Sequence, residues 1–256
     1  MSKKWFIFFF ILINITVGVY LHTNTLTITY HNVTLRSGNK KIRIAHVTDL
    51  HTKGLGRIEK QLLVALKTEK PDVIVITGDI ATPTGTEKGY ESVLKELKAP
   101  QGIFFVQGNW EYWEPIQNLK MILNKNNIKD MTNQTHFLDQ NLWLVGFDDS
   151  EEGQPHLEIL DNLPKSALKI GLFHSPVFFE KTAGLVNLNL AGHSHGGQFR
   201  IPFLGHLWVP QGTGRFDQGW FEKDHSKLFV SRGIGTSILP MRFNCAPELA
   251  IINIQY

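Results

Sequence analysis

The chain has 256 residues, of which 42% are hydrophobic and 19% are charged, and its formal net charge is +3. This composition suits one large globular domain or at most two small ones, and it excludes a chain that is disordered throughout. The charge is too small, and the lysines and arginines are too dispersed, to indicate a surface that binds nucleic acid.

An uncharged apolar segment stands near the N-terminus. Residues 5–21 read WFIFFFILINITVGVYL, follow Lys3 and Lys4, and have an aromatic residue near each end. About 17 residues is the lower limit for a helix that spans a bilayer, and aromatic residues favour its interfaces. A cleaved signal peptide, which lacks a small-residue cleavage site here, and a buried core helix are the alternatives. The segment predicts a single-pass anchor over residues 1–22. Lys3 and Lys4 favour a domain outside the cytoplasm, whereas Arg36, Lys40 and Lys41 beyond the segment reduce this charge asymmetry.

Strands and helices alternate after this segment. β-Branched residues in alternation predict a strand or hairpin arm at 26–35, within a connecting segment 23–40, and a strand follows at Lys41–Val47. Further apolar runs predict strands at Val73–Thr77, Ile103–Val106, 142–147, 169–173, 185–191, 227–231 and 248–254. Helical spacing predicts helices at 58–68, 90–97, 115–124 and 157–163. This order indicates an α/β layered domain over 41–256.

Side chains with metal-binding atoms follow five of the predicted strands. They are Asp49, His51, Asp79, Asn109, His174, His193 and His195. The carboxyl ends of strands in an α/β sheet meet at one edge, where the loops form a crevice. One such histidine, or one Gly-Asp pair, is an ordinary structural residue or turn. Five strand ends of this kind in succession indicate a shared site, and Gly78, Gly108 and Gly192 beside them permit sharp turns.

The available ligands limit the metal. The chain has 11 histidines and one cysteine, Cys245. A single cysteine excludes both an intrachain disulfide and a zinc site built on thiolates. Imidazole and carboxylate donors suit manganese, iron or zinc rather than iron–sulfur clusters or copper(I).

The motifs D-x-H, G-D, G-N, H-x-P and G-H-x-H, in this order, resemble those of the calcineurin-like metallophosphoesterase superfamily from about residue 41 to the C-terminus. Residues 146–149 (GFDD), 196–198 (GGQ) and 230–237 (VSRGIGTS) further resemble its membrane-associated bacterial branch. That branch includes exported phosphoesterases and UDP-2,3-diacylglucosamine pyrophosphohydrolases. The resemblance implies a four-layer αββα sandwich and an enzyme that hydrolyses phosphate ester or pyrophosphate bonds.

The resemblance also implies two divalent metal ions, with manganese favoured. The ligands of the first ion would be Asp49, His51 and His195, and those of the second would be Asn109, His174 and His193. Asp79 would bridge the two ions. Catalysis would proceed through a hydroxide that the metals hold, with Asp79, Asn109 and His193 as the catalytic residues.

The chain departs from the family pattern beside Asn109. The family usually reads G-N-H-D/E where residues 108–111 read GNWE, and the indole of Trp110 cannot protonate a leaving oxygen. Three hypotheses follow: the domain only binds metal, another group such as His136, His156 or water supplies the proton, or the leaving group needs little protonation. The third predicts a preference for pyrophosphate bonds or activated diesters over alkyl monoesters. A broad phosphodiesterase or phosphatase of the cell surface is the alternative function.

Several further residues are candidates for substrate contact. Trp110, Asp149 and Arg232 are predicted to touch the substrate, against the alternatives of core packing, a solvated turn and a structural arginine. The apolar residues within 199–209 form either core or a lip that faces lipid. The expected partners are therefore a phosphate-containing small molecule or lipid and, through the N-terminal helix, a membrane.

Overall fold

The computed structural model describes residues 3–113 and 116–256. The helices are α1 (Lys3–Asn24), α2 (Arg57–Glu69), α3 (Glu87–Leu94), α4 (Asn109–Trp113), α5 (Ile116–Lys125) and α6 (Phe179–Thr182). The strands are β1 (Thr27–Thr34), β2 (Lys41–Val47), β3 (Val73–Thr77), β4 (Ile103–Val106), β5 (Ile128–Asp130), β6 (Gln134–Asp139), β7 (Leu142–Gly146), β8 (Leu168–Leu172), β9 (Leu188–Ala191), β10 (Arg200–Ile201), β11 (Gly205–His206), β12 (Gly219–Lys223), β13 (Ser226–Val230) and β14 (Glu248–Gln255). The helix predicted at 115–124 corresponds to α5, and Pro115 lies outside the described residues.

Two six-stranded sheets form the centre of the fold. Their strand orders are β1-β14-β2-β3-β4-β5 and β12-β13-β9-β8-β7-β6. Strands β2 to β5 run parallel in the first sheet, and β7, β8, β9 and β13 run parallel in the second. The carboxyl ends of β2, β3 and β4 therefore lie side by side, as do those of β8 and β9.

Three clusters of buried apolar side chains separate four layers. One cluster packs α2, α3 and α5 on the first sheet and contains Leu66 and Ile76. The second lies between the sheets and contains Val75 and Ile170. The third covers the outer face of the second sheet and contains Phe179. The predicted four-layer αββα sandwich is confirmed, and β3 reads as a continuous apolar run because both of its faces are buried.

The N-terminal strand corrects one prediction. β1 does not form a hairpin with β2, because β14 lies between them. β1 pairs with β14 in parallel, and β14 pairs with β2 in antiparallel orientation. The segment 23–40 thus supplies the edge strand of the first sheet.

The other differences concern element ends and edge strands. The helix predicted at 90–97 begins at Glu87, because Thr86 Oγ1 accepts a hydrogen bond from the Gly89 N–H. The helix predicted at 157–163 is a 3-10 helix over Leu157–Asn162. The edge strands β5, β6 and β12 and the short strands β10 and β11 were not predicted. β6 and β12 consist largely of half-buried and exposed residues, so they lack the apolar run that marks a central strand.

Helix α1 extends away from the sandwich. It is long and apolar enough to cross a membrane, and no part of its most apolar 18-residue window is buried. A signal sequence meets the same criterion. The last turns contact the domain: a β-carbon on Gly18 would lie 3.2 Å from the ring of Phe243, and the Arg242 N–H donates to Thr23 Oγ1.

Candidate metal centre

Seven polar side chains converge where the carboxyl ends of both sheets meet. The carboxylate and imidazole atoms of six of them form two groups, and within each group the atoms lie within 4.8 Å of one another. The first group contains Asp49, His51, Asp79 and His195, and the second contains Asp79, His174 and His193. Asp79 belongs to both groups, as a residue between two metal ions would.

The spacing of the donor atoms fits a shared cation. His51 Nε2 lies 3.2 Å from His195 Nε2 and 3.4 Å from Asp79 Oδ2. His174 Nε2 lies 3.2 Å from Asp79 Oδ2 and 3.0 Å from the oxygen of Asn109. Two ligands at about 2.1 Å from one ion lie roughly 3.0–3.4 Å apart. The structure thus places Asn109 beside the second group, the group to which the family resemblance assigned it.

The backbone holds most of these side chains in an unusual conformation. Positive φ angles occur at Asp49 (51°), His51 (38°), Asp79 (56°), His193 (68°) and His195 (50°). Residues other than glycine adopt this region rarely, and such strained residues cluster at functional sites. The surrounding fold therefore stabilises these conformations, which turn the donor atoms towards one another.

Glycines allow the loops to approach the carboxylates. A β-carbon on Gly108 would collide with the Asp79 carboxylate, and one on Gly192 would collide with Thr48 and lie 2.7 Å from Asp49 Oδ2. At these two positions the need for glycine is one of space, whereas Gly78 also has a positive φ of 82°.

Backbone carbonyls orient the imidazole rings. His51 Nδ1 lies 3.2 Å from the Ala81 carbonyl oxygen, and His174 Nδ1 lies 2.8 Å from the Thr77 carbonyl oxygen. The Nε2 atom of His193 contacts a further backbone carbonyl. When one ring nitrogen donates its hydrogen to a carbonyl, the other presents a lone pair to the donor cluster.

Burial sets the charge of the cluster. Burial lowers the pKa of His51 and His195, and it lowers the pKa of His193 to about 4, so these rings are neutral near pH 7. Burial opposes the charges of Asp79 and His174, but their mutual attraction outweighs it, lowering the pKa of Asp79 and raising that of His174. The neutral rings of His51, His193 and His195 beside the ionised carboxylate of Asp79 suit a divalent cation.

The family comparison agrees with this geometry. The model of the family described as calcineurin-like phosphoesterase matches residues 42–197, a range that contains all seven donors. The chain belongs to this family. It is therefore a metal-dependent phosphoester hydrolase with a divalent-metal site built from Asp and His residues.

Individual relatives extend the match beyond that range. The phosphoesterase is 28% identical over 251 residues to the uncharacterized metallophosphoesterase YkuE of Bacillus subtilis. This alignment covers 92% of the chain and 88% of YkuE. It is 26% identical over 227 residues to phosphodiesterase YaeI of Escherichia coli, an alignment that covers 83% of the chain and 82% of YaeI. These relatives do not single out a membrane-associated branch, which stays a prediction.

A solved structure shows the same fold. TT1561 of Thermus thermophilus matches with a TM-score of 0.51 and 14% sequence identity, over 76% of this chain and 91% of TT1561. At this identity the likeness supports the layered fold alone.

Glu111 is a residue of this phosphoesterase site that sequence reasoning missed. Its buried carboxylate accepts hydrogen bonds of 2.8 Å from the N–H groups of Gly108, Asp79 and Ile80. Burial, followed by the nearby Asp79 charge, raises the pKa of Glu111 to about 7. Glu111 thereby joins the loops after β3 and β4, and its place two residues after Asn109 was the available signal.

We expect Glu111→Gln to weaken metal binding by about 10–100-fold, as is typical for residues that orient ligands. The amide nitrogen would face backbone N–H donors, so the loop that carries Asp79 would move. Manganese titration of the purified protein measures the effect, with circular dichroism as the check on folding. Glu91→Gln, at a surface pair with Lys125, is the matched control and should bind manganese like the wild type. Unchanged affinity in folded Glu111→Gln would contradict the role.

Two arginines near the site are engaged by protein groups. The buried guanidinium of Arg242 donates to the carbonyl oxygens of Arg232 at 2.8 Å, Gly235 and His195 at 3.4 Å. Arg242 thus ties the loop after β13 to the His195 segment. The guanidinium of Arg232 lies 3.3 Å from Glu248 Oε1. Its contact with substrate stays a prediction.

The other predicted substrate contacts lie beside the donors. The half-buried ring of Trp110 lies 5.0 Å from the ring of His51 and 5.3 Å from that of Trp113. Asp149 is buried and accepts a hydrogen bond of 2.5 Å from Ser175 Oγ, next to His174 in sequence. Asp149 therefore supports the loop after β8, while its contact with substrate stays a prediction.

The histidines considered as replacement acids have other contacts. His136 packs on the ring of Phe104 and lies 3.1 Å from Lys129 Nζ. His156 lies 3.4 Å from Glu158 and is exposed. Neither residue contacts the seven donors in the described part of the chain, so these positions give no support to either histidine as the acid.

Proposed function

We propose that the enzyme hydrolyses pyrophosphate bonds or activated diesters in a lipid- or nucleotide-linked substrate close to a membrane. The observation that carries this proposal is the position of Trp110, whose ring lies 5.0 Å from that of His51. Indole cannot protonate an alkoxide as it leaves. A phosphate that leaves from a pyrophosphate is already a stable anion and needs far less protonation, so Trp110 is compatible with that reaction.

The proposed ligand set follows the two donor groups. One ion would be held by Asp49, His51 and His195, the other by Asn109, His174 and His193, with Asp79 shared. A pair of divalent ions, for which manganese is favoured, would supply an activated water and neutralise phosphoryl oxygens when bound. Asp79 keeps the two groups together, and the amide oxygen of Asn109 adds a donor without adding negative charge beside an anionic substrate.

The proposed location follows from α1. Residues 1–22 would form an uncleaved membrane anchor, 23–40 the connection and 41–256 the catalytic domain. Lys3 and Lys4 before the apolar segment favour a catalytic domain outside the cytoplasm. Protease added to intact cells should then digest the domain. Complete protection, with digestion after lysis, would place it inside.

A second function is favoured by similarity to phosphodiesterase YaeI of Escherichia coli. In that case the enzyme would be a broad phosphodiesterase or phosphatase of the cell surface. The two functions differ in their dependence on the leaving group, which one assay with several substrates can measure.

We expect the manganese-loaded enzyme to turn over a nucleotide–lipid pyrophosphate at least about 100-fold faster than glycerol phosphate, because only the latter needs an acid catalyst. Bis-p-nitrophenyl phosphate, an activated diester, should also be used well. His174→Ala should abolish all three activities, whereas the matched variant His136→Ala, outside the donor groups, should retain them. Equal or better use of glycerol phosphate would contradict the preference for good leaving groups.

A further inference from the structure

Two loops beside the metal centre expose large apolar side chains. The first loop carries the β10–β11 hairpin and the residues after it, and the second follows β13. Their exposed side chains, which we call the lip, are Phe203, Leu204, Leu207, Trp208, Ile238 and Leu239. Single exposed apolar residues are common, whereas a contiguous set of this size marks a contact surface.

An apolar pocket of about 360 Å³ lies between the two loops. Leu207, Trp208, Ile238 and Leu239 of the lip line it, and so does His195 of the metal centre. The pocket therefore borders the metal centre at His195.

The segment around Phe243 connects the lip, by hydrogen bonds and packing, to the last turns of α1. The Arg200 N–H donates to the Phe243 carbonyl at 3.0 Å, and the Phe243 N–H donates to the Gln198 carbonyl at 2.8 Å. The ring of Phe243 packs on Gly18 of α1. The hairpin thus begins next to the point where α1 leaves the domain. Residues 3–17 of α1 extend from that point for about 22 Å at 1.5 Å per residue.

The second loop is joined to the same segment. Gln198 Nε2 donates to the Leu239 carbonyl at 3.2 Å, and Gln198 Oε1 accepts from the Ser237 N–H at 2.8 Å. Both loops are therefore held in a defined position close to α1.

The composition of the lip favours lipid as its partner. Residues 201–214 and 233–241 contain no Asp, Glu, Lys or Arg, so insertion of these segments into lipid would desolvate no carboxylate, ammonium or guanidinium group of their own. Trp208 adds an aromatic ring of the kind that prefers a membrane interface.

We propose that the lip lies in the surface of the bilayer that holds α1, and that the pocket takes a hydrocarbon chain of a phosphate-bearing lipid. The lipid's phosphate would then lie at the metal centre beyond His195. The second part rests on the proposed function, because it assigns the pocket to the substrate of that site. The first part rests on the anchor alone.

Fluorescence quenching tests the lip in the full chain. Leu204→Cys is labelled with an environment-sensitive fluorophore in vesicles of phosphatidylcholine and phosphatidylglycerol that carry a nitroxide on the acyl chain. Cys245 is buried, which leaves the introduced thiol as the reactive one. The matched control is Met121→Cys on α5, at a side chain that is also largely exposed. We expect strong quenching for Leu204→Cys and little for Met121→Cys. Equal quenching at both positions, or none at either, would overturn the proposal that the lip lies in the bilayer surface.

Calorimetry of the manganese-loaded full chain in nanodiscs tests the pocket without requiring turnover. We expect hexyl phosphate to bind at least about tenfold more tightly than ethyl phosphate, because its additional methylenes are buried. Ile238→Asp, at an exposed position in the pocket wall, should remove the difference and retain the affinity for ethyl phosphate. Equal binding of the two phosphates by the wild type would overturn the pocket. A chain-length effect without hydrolysis of bis-p-nitrophenyl phosphate would instead overturn the proposed function and support the pocket.

Discussion

Replacing Asp79 by asparagine is expected to lower kcat/KM for bis-p-nitrophenyl phosphate by at least about a thousandfold. Asp79 Oδ2 lies 3.4 Å from His51 Nε2 and 3.2 Å from His174 Nε2, so it serves both donor groups. An amide oxygen carries no full charge, and loss of a metal site removes several kcal/mol of transition-state stabilisation. Each factor of ten corresponds to about 1.4 kcal/mol. Metal analysis should show fewer than two ions per chain.

Asp79→Asn should leave the backbone conformation unchanged, since asparagine tolerates the positive φ of 56° at this position. Asp72→Asn is the matched control, because Asp72 lies at the amino end of the same strand, β3, away from the donors. Its carboxylate accepts a hydrogen bond of 2.7 Å from the backbone N–H of Arg43. This variant should keep both metal ions and its turnover. Wild-type turnover in Asp79→Asn would show that the shared carboxylate is not part of the catalytic site.

Replacing Trp110 by histidine is expected to raise turnover of glycerol phosphate by about 100-fold or more. The backbone N–H of Trp110 donates to Asp79 Oδ1 at 3.0 Å, and its side chain lies against His51, so an imidazole at this position would lie beside the donors. An acid catalyst contributes about 10²–10⁴-fold when the leaving group is basic. The gain on bis-p-nitrophenyl phosphate should be much smaller, since nitrophenolate leaves without protonation.

Trp113→His provides the comparison for this gain. Trp113 lies on the same helix, α4, with its ring 5.3 Å from that of Trp110, but it is exposed. A histidine there adds an imidazole near the site without replacing the residue that contacts His51. The ratio of glycerol phosphate to diester turnover should rise in Trp110→His alone. A rise of the same size in both variants, or in neither, would contradict the account of the leaving group.

Much of the site was predictable because its ligands follow recognisable strands. The run VIVIT at Val73–Thr77 marks a strand buried on both faces, and the next two residues are Gly78 and Asp79. The same local pattern, an apolar run followed by a polar donor, recurs at the other ligands. Parallel strands align their carboxyl ends, so sequence order was sufficient to group the donors within each sheet. The packing of the two sheets then brings the donors after β2, β3 and β4 to those after β8 and β9.

Other features of the site depend on contacts that no local pattern records. Glu111 is one polar residue in the run GNWE, but the fold surrounds its carboxylate with the N–H groups of Asp79 and Ile80 from a different loop as well as that of Gly108. Arg242 reads as a surface cation, but the carbonyls of two loops enclose its guanidinium. In both cases the partners are hydrogen-bonding groups of the backbone, which are present at nearly every residue and leave no signal in the sequence.

The sequence by itself determined the layered α/β fold, the apolar N-terminal helix and the residues that form the donor cluster, because each follows from periodicity and local order along the chain. Only the tertiary structure decided that β1 pairs with β14, more than 200 residues away, and that Phe243 joins the apolar lip to Gly18 of α1. An apolar residue shows the same pattern whether it packs in a core or lies exposed. The residues against which it packs depend on which distant segments the sheets bring together.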